Sequence, residues 1–252
     1  MTRKLYDDLY IGIPSGIRIT GCAVGKYWTT VRIDGNIGLA RTLEMPVDAA
    51  EFAARFVGKF LRDVAGHLTW ENAARASVGV AAMNAWYNTA DRIEGLEGTR
   101  IPERPSGGTA YVGNQDTNEF PLPMSPDFDA EKYKGLANYD NAVIASEALI
   151  TGALPKLLEL AGSANVLLTG YSLPATALFF SFGMPVTELR GFYPRFIDTV
   201  EACARKDIPD PAAGMTPFCV RPMKLKKIHE SEQVRVALES PYRAAEFNNL
   251  FK

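Results

Sequence analysis

The stretch Gly170-Tyr171-Ser172-Leu173-Pro174 joins a strand-like pattern to an apolar segment, a place where chemistry is often found. It partly matches the G-x-S-x-G turn that exposes a nucleophilic serine, but Pro174 replaces the second glycine that the strained turn requires. The alternative is a helix start with Ser172 as N-cap and Pro174 in the first turn. The free N–H groups of such a helix start favour an anion. We therefore interpret Gly170, Tyr171 and Ser172 as a ligand-binding corner.

Residues that complete a catalytic triad or a zinc site are few in this chain. The histidines are His67 and His229, and the cysteines are Cys22, Cys203 and Cys219. The wide spacing and the lack of a C-x-x-C pair indicate neither a disulfide framework nor a structural zinc site. A metal site would have to assemble from positions that are distant in the sequence.

Two further pairs of polar residues are candidates for a site. Ser146 and Glu147 follow a buried-strand pattern, and ligands bind at the carboxyl ends of strands in open α/β sheets. Glu147 could act as a metal ligand, as a general acid or base, or only as a favourable carboxylate near a helix start. Asn84 and Asn88 are four residues apart, so on a helix they share one face. They could serve the core or bind a ligand.

The first half of the chain predicts an α+β unit. Strand-like patterns cover 17–25, 27–33 and 37–43, with a hairpin turn at Asp34-Gly35 or Gly35-Asn36. Apolar periodicity and composition predict helices over three segments, 4–10, 47–64 and 71–87. A β-meander followed by two helices buries one face of the sheet.

The second half alternates strands and helices. Strands are predicted over 109–113, 141–146, 165–170 and 186–191, and helices over 148–162, 174–183 and 193–206. Pro155 either kinks the first of these helices or marks its true start near Leu154. Repeated βα units imply a Rossmann-like parallel sheet with right-handed crossovers.

Together these patterns predict a two-domain α/β protein. An N-terminal α+β domain covers 1–104, a Rossmann-like domain covers 105–225, and a tail with a helix covers 226–252. A length of 252 residues suits this division. The Gly- and Pro-rich stretch 94–109 is predicted to be the linker.

Composition excludes several classes of protein. The formal net charge of −2 provides no electrostatic footprint for nucleic acid. No apolar run approaches the roughly 20 residues of a membrane span. The N-terminus carries Asp7 and Asp8 where a secretory signal would be apolar. We expect a cytoplasmic protein with neither a nucleic-acid nor a membrane partner.

Four segments, in this order, resemble the putative heavy-metal chelation family of bacterial and archaeal proteins. They are GKYWTTVRIDGNIGLARTL from Gly25, SVGVAAMNAWYN from Ser77, VIASEALITGALPKLLELA from Val143 and LLTGYSLPATALFFSFGMPVTELRG from Leu167. The resemblance implies a domain like the enolase N-terminal domain, then a Rossmann-like domain, with an active site between them.

The resemblance also assigns individual positions. It matches Gly38 and Ala40 to a glycine-leucine-alanine turn, and the family's asparagine-alanine helix to Asn84, Ala85 and Asn88. The family's polar helix start and its corner match a further set, Thr151, Gly152, Gly170, Ser172 and Pro174. The chain departs from the family at Tyr171, where proline is usual, and at Ser146-Glu147, where Thr-Gly is frequent.

The resemblance and the polar residues lead to one principal hypothesis and two alternatives. The principal hypothesis is an interdomain cleft that binds a metal ion of open identity or a small metal-chelating ligand, with Glu147 as metal ligand, Asn84 as polar partner and Ser172 as anion cap. The first alternative is an enzyme that acts on a small polar metabolite with Glu147 as acid or base. The second is an interaction protein whose C-terminal segment 240–252 docks on its own core or on a second subunit, which would give a homodimer.

Overall fold

The computed structural model describes residues 2–66, 72–96, 107–113, 120–181 and 184–221. The histidines His67 and His229 and the predicted C-terminal tail 226–252 lie outside the described residues, as does the predicted domain boundary at 104/105. Among the described helices, none combines the length and the apolar character that a membrane span requires.

The first half forms a three-stranded antiparallel sheet covered by helices. Helix α1 (Thr2–Ile11) precedes strands β1 (Gly21–Val24), β2 (Trp28–Ile33) and β3 (Asn36–Arg41), in spatial order β1-β2-β3. The predicted hairpin is confirmed, because Ile33 pairs with Asn36 across Gly35, whose φ is +74°. That positive φ suits glycine, which has no Cβ to clash.

Helix α4 (Ala73–Tyr87) packs closely against this sheet. The closest approach is at Gly38, where a Cβ would lie 2.0 Å from the Ala81 carbonyl oxygen and 2.1 Å from the Ala85 backbone nitrogen. Glycine is therefore required at position 38 for β3 and α4 to touch. Helix α5 (Ala90–Glu94) follows α4.

The prediction of one helix over 47–64 is wrong. The segment forms two short helices, α2 (Ala49–Ala54) and α3 (Leu61–Gly66). Between them Gly58 has a φ of +82°, and its N–H donates to the Ile19 carbonyl oxygen at 2.8 Å. The chain near Gly58 thus pairs with the extended segment before β1, and these tertiary hydrogen bonds override the apolar stripe.

The second half forms a five-stranded sheet in the order β4-β5-β6-β7-β8. The strands are β4 (Thr109–Val112), β5 (Asn141–Ala145), β6 (Asn165–Thr169), β7 (Val186–Pro194) and β8 (Met215–Val220). The first four run parallel, as predicted. Strand β8 is antiparallel to β7 and was not predicted. The fold class is therefore the predicted one, an α+β unit followed by a mostly parallel sheet.

The helices of the second half are shorter than predicted. The segment 148–162 divides into α6 (Glu147–Ile150) and α7 (Leu154–Ala161), and α8 covers Ile197–Arg205. Pro155 lies in the first turn of α7, so the second of the two alternatives for this proline is correct. The described residues also form 3₁₀ helices over Ala130–Asn138, Ala177–Phe180 and Ala212–Gly214.

The prediction of an α-helix over 174–183 is also wrong. In the described part of this segment, 174–181, a four-residue 3₁₀ helix forms instead, and its N-cap is Thr176, which accepts from the Leu178 N–H at 3.3 Å. The predicted N-cap role of Ser172 is therefore wrong. One continuous hydrophobic cluster includes Ala85 of α4 and Leu173 of this segment, so the two sheets share a core.

Candidate functional site

Asn88 is the most completely bonded polar side chain between the two halves of the chain. Its Nδ2 donates to the carbonyl oxygens of Leu173 (2.9 Å) and Phe192 (3.1 Å), and its Oδ1 accepts from the Ala175 N–H at 2.8 Å. The residue is 1% exposed. These bonds hold the 173–175 backbone away from helical geometry.

Asn84, one turn earlier on α4, is bonded less completely. Its Nδ2 donates to the Leu39 carbonyl oxygen at 2.7 Å and, at the 3.5 Å limit, to that of Tyr171. Its Oδ1 is buried with no hydrogen-bond partner among the described residues. Asn84 and Asn88 therefore share one helix face, as predicted, but that face packs against backbone.

Ser172 and Ser146 form a buried link between the two sheets. The Arg41 N–H donates to Ser172 Oγ at 2.9 Å, and the Ser172 N–H donates to Ser146 Oγ at 3.1 Å. Ser146 Oγ in turn donates to Glu147 Oε2 at 3.4 Å. Because both serines are almost fully buried, they support the surface rather than form it. We call this set, Asn84, Asn88, Ser146 and Ser172, the buried seam.

Gly170 makes the seam possible. Its φ is +134°, and a Cβ there would lie 2.2 Å from Ser146 Oγ. Any larger residue would push the Ser146 hydroxyl away from Ser172 and Glu147.

A groove of about 670 Å³ opens next to the seam, and we call it the Glu147 groove. The first sheet and the segment after it contribute Trp28, Arg41 and Leu43. The second half of the chain supplies the remaining lining residues, which are Gly113, Pro121, Leu122, Met124, Glu147, Tyr171, Pro209, Asp210 and Pro211. Of the predicted site residues, the groove thus exposes Glu147 and Tyr171.

Glu147 lies half-buried at the start of α6. Burial raises the pKa of its carboxyl group above the usual value, because the charged form loses hydration. Its own backbone N–H, the positive charge of Arg41 and the Ser146 hydroxyl oppose that shift without cancelling it. This carboxyl group therefore takes up a proton more readily than an exposed one.

Aromatic rings form one wall of the groove. The Tyr171 ring stacks on Phe192 with centroids 4.1 Å apart and meets the Trp28 ring edge-on at 5.3 Å. Trp28 is fixed by its Nε1, which donates to the Pro209 carbonyl oxygen at 3.0 Å. Burial, together with the charge of Asp210, raises the pKa of Tyr171, so its hydroxyl group stays protonated.

Arg41 was missed by the sequence interpretation. Its guanidinium carbon lies 5.1 Å from the Trp28 ring centroid and 5.6 Å from that of Tyr27. The signal was available, because the hairpin turn at Gly35 sets a register in which Trp28 pairs with Arg41. The register alone does not predict the groove, because the groove forms only when the second half packs against these strands.

The described residues offer limited means of binding a bare metal ion. Within the described ranges, no group of three His, Cys, Asp or Glu side chains is placed to hold one. The carboxylates that line the groove are Glu147 and Asp210. Such a pair supplies part of a coordination shell, and a bound metal would take its other ligands from elsewhere.

Another carboxylate, Glu188 on β7, lies in a contrasting environment. It is 8% exposed and accepts from Arg190 Nε, from Cys219 Sγ at 3.2 Å and from Arg221 Nε at 3.0 Å. Burial acts to raise its pKa, but the hydrogen bonds and positive charges of these partners outweigh burial and lower it.

Comparison with known proteins agrees with this architecture. Residues 6–87 match the DUF4213 family model and residues 113–202 match the DUF364 family model, and both are described as putative heavy-metal chelation. No curated protein matches the chain at a significant level.

Two solved structures share the fold, and both are described as proteins of unknown function from the DUF364 family. The first, from Desulfitobacterium hafniense, has 21% identity and a TM-score of 0.74 over 88% of this chain and 98% of its own. The second, from Pyrococcus horikoshii, has 16% identity and a TM-score of 0.66 over 88% of this chain and 99% of its own.

Proposed function

We propose that this chain, whose two halves match two putative heavy-metal chelation families in succession, binds a chelated metal. The metal ion would be held by a small organic chelator in the Glu147 groove. The observation that carries the proposal is the composition of this groove. It brings together an anionic, a cationic and an aromatic group, Glu147, Arg41 and Tyr171, which are far apart in the sequence.

A chelated metal suits this lining better than a bare ion. Glu147 and Asp210 offer hard oxygen atoms to open positions on a metal, and the chelator supplies the remaining ligands. The rings of Trp28 and Tyr171 offer apolar area to the organic part. Because the groove lies between the two halves of the chain, it is the interdomain cleft of this proposal.

The buried seam has a supporting role in this proposal. Asn84, Asn88, Ser146 and Ser172 are at most 2% exposed, so their side chains cannot present much surface to a ligand. Ser172 holds the backbone of Arg41, and Ser146 bonds both Ser172 and Glu147. The sequence-based roles of Asn84 as a direct partner and of Ser172 as an anion cap are therefore replaced by positioning roles.

The test is elemental analysis and mass spectrometry of protein purified without a histidine tag. We expect a metal and a small molecule to co-purify with the wild-type protein and to be depleted in Glu147→Ala. Glu159→Ala is the matched control, because Glu159 is exposed on α7, away from the groove, and its carboxylate pairs with Lys156 at 3.0 Å. Equal metal and ligand content in all three proteins would contradict the proposal.

A second candidate is an enzyme that acts on a small polar metabolite with Glu147 as acid or base. The raised pKa of Glu147 favours this candidate, because a general acid or base works best when its pKa is close to the operating pH. Turnover of a metabolite pool that stops in Glu147→Gln, while binding persists, would favour the enzyme.

The cytoplasmic location and the homodimer stay predictions. Gel filtration tests the homodimer.

A further inference from the structure

We infer that the Glu147 groove selects a planar ligand that carries a carboxylate or a similar oxyanion, and that Arg41 is the residue that determines this selectivity. The inference deepens the proposed function and rests on it. It starts from the charge state of the groove and from the contacts of Arg41.

Arg41 differs from Arg32, Arg205 and Arg221, each of which contacts a carboxylate. Arg32 and Arg205 both contact Glu201, at 3.0 and 2.6 Å, and Arg221 contacts Glu188 at 3.0 Å. Arg41 has no carboxylate within 4 Å among the described residues; it lies over two aromatic rings, and its charge acts on Glu147 from a longer distance. Aromatic faces attract the cation but leave its N–H donors without strong acceptors.

The position of Arg41 is fixed by its backbone. Its N–H donates to Ser172 Oγ, and the residue ends β3 opposite Trp28. A guanidinium group on a fixed backbone, placed beside rings, loses little freedom when it binds a ligand. Its fork of donors matches the two oxygens of a carboxylate.

The aromatic wall favours a flat ligand. Phe192 covers one side of Tyr171 at 4.1 Å and Trp28 approaches it edge-on, so this ring is held in one orientation where it lines the groove. A ring placed against Tyr171 would gain stacking and apolar burial.

The two carboxylates define how such a ligand would lie. Asp210 repels an anion and attracts a cation, so we expect the oxyanion to contact Arg41 and the chelated cation to contact Asp210. Glu147 lines the same groove and offers its oxygen atoms to the chelated cation. A metal chelate with a free or metal-bridging carboxylate has this charge distribution.

The test compares picolinate with picolinamide by calorimetry, each with and without Zn²⁺. Both are flat metal chelators of nearly equal shape, and only picolinate is an anion. We expect picolinate to bind more tightly to the wild-type protein, and Arg41→Met to weaken picolinate about ten- to a hundred-fold, the range for one charge-assisted contact, while picolinamide changes little.

Two further variants sharpen the result. Arg41→Lys keeps the charge but not the fork, so we expect an intermediate loss for picolinate. Arg195→Met is the matched control, because Arg195 also lies over a ring, that of Phe196 at 5.1 Å, but outside the Glu147 groove. It should bind both probes as the wild type does. If Arg41→Met fails to fold, the role of Arg41 is tested by Arg41→Lys and by the preference of the wild-type protein for picolinate over picolinamide.

Three outcomes would overturn the inference. Equal affinities for the two probes would remove the selectivity for an anion. An equal loss of picolinate binding in Arg41→Met and Arg195→Met would show that the preference for an anion is a general effect of positive charge. If neither probe binds, the inference that the groove takes planar ligands is wrong. Each of these leaves the proposed function standing wherever a chelated metal still co-purifies in a Glu147-dependent manner.

Discussion

The two carboxylates Glu147 and Glu188 belong to the same half of the chain, but their pKa values shift in opposite directions. Glu188 accepts from three donors, and its pKa is lowered despite burial. Glu147 accepts from its own backbone N–H and, over a long distance, from Ser146 Oγ, and these bonds do not prevent burial from raising its pKa. The first carboxylate is part of a completed ion-pair cluster, whereas the second lies in a groove with a cation, Arg41, that is also incompletely bonded.

This difference separates residues that stabilise the fold from residues available to a ligand. A buried polar group costs free energy unless its hydrogen bonds are made. Glu188 and Asn88 have made theirs, so they contribute to the free energy of unfolding. Glu147 and Arg41 have not, so a ligand that supplies the missing partners would bind there. Four predictions test this separation, from the largest expected effect to the smallest.

Asn88→Ala is expected to lower the free energy of unfolding by about 3–5 kcal/mol. The change removes three hydrogen bonds, and the Leu173 and Phe192 carbonyl groups and the Ala175 N–H each lose a partner; we assign each loss about 1–1.7 kcal/mol, the lower part of the usual range. Urea denaturation measures the loss. Asn138→Ala, at an exposed site, should change stability by less than about 0.5 kcal/mol. A loss below about 1 kcal/mol for Asn88→Ala would place Asn88 with the groove residues.

Glu188→Gln is expected to cost about 2–3 kcal/mol at neutral pH, because Arg190 and Arg221 keep their charges and lose their shared partner. Its pH dependence has a defined sign. Since the folded-state pKa is lowered below the usual value for a glutamate, the stabilisation is present above that usual value and is lost as pH falls through the folded-state pKa. Denaturation curves between neutral and acidic pH should show a steeper loss in the wild type than in Glu188→Gln.

Ser172→Ala is expected to cost about 1–2 kcal/mol, because the Arg41 N–H and the seam lose an acceptor. It should also weaken picolinate binding several-fold, since the backbone that positions Arg41 is released. Ser125→Ala is the control, because Ser125 is exposed and its Oγ accepts a local hydrogen bond from the Asp127 N–H at 3.1 Å. Unchanged picolinate affinity in Ser172→Ala would show that the seam does not position the groove.

Glu147→Gln is expected to have the smallest effect on stability and the opposite sign. A folded-state pKa above the unfolded value means that the folded state binds the proton more tightly. The wild type should therefore lose stability as pH rises from the usual carboxyl range through the raised pKa, and Glu147→Gln should not. At neutral pH the variant should be equal to or more stable than the wild type. A clear destabilisation by Glu147→Gln would show that Glu147 is a paired structural residue like Glu188.

Much of the fold could be predicted from local patterns, and two of the failures share one cause. The hairpin at Gly35, the parallel strands and the helix start near Leu154 all depend on residues close in the chain. The predicted helix over 47–64 fails at Gly58, and the one over 174–183 fails at Ala175. In both cases the backbone hydrogen bonds go to partners far away in the sequence, Ile19 and Asn88.

The candidate site shows the same division. The residue types alone marked Glu147 and the Tyr171 corner, because a carboxylate and a glycine-containing corner after parallel strands are recognisable locally. Whether Ser172 and Asn88 face a ligand or the protein interior depended on the packing of the two halves, as did the placement of Arg41 beside the groove. Hydrogen-bond partners and burial depend on contacts between segments that are distant in the sequence. Local sequence patterns can therefore identify polar residues as candidates for a site, but only the tertiary structure determines which of them reach the groove.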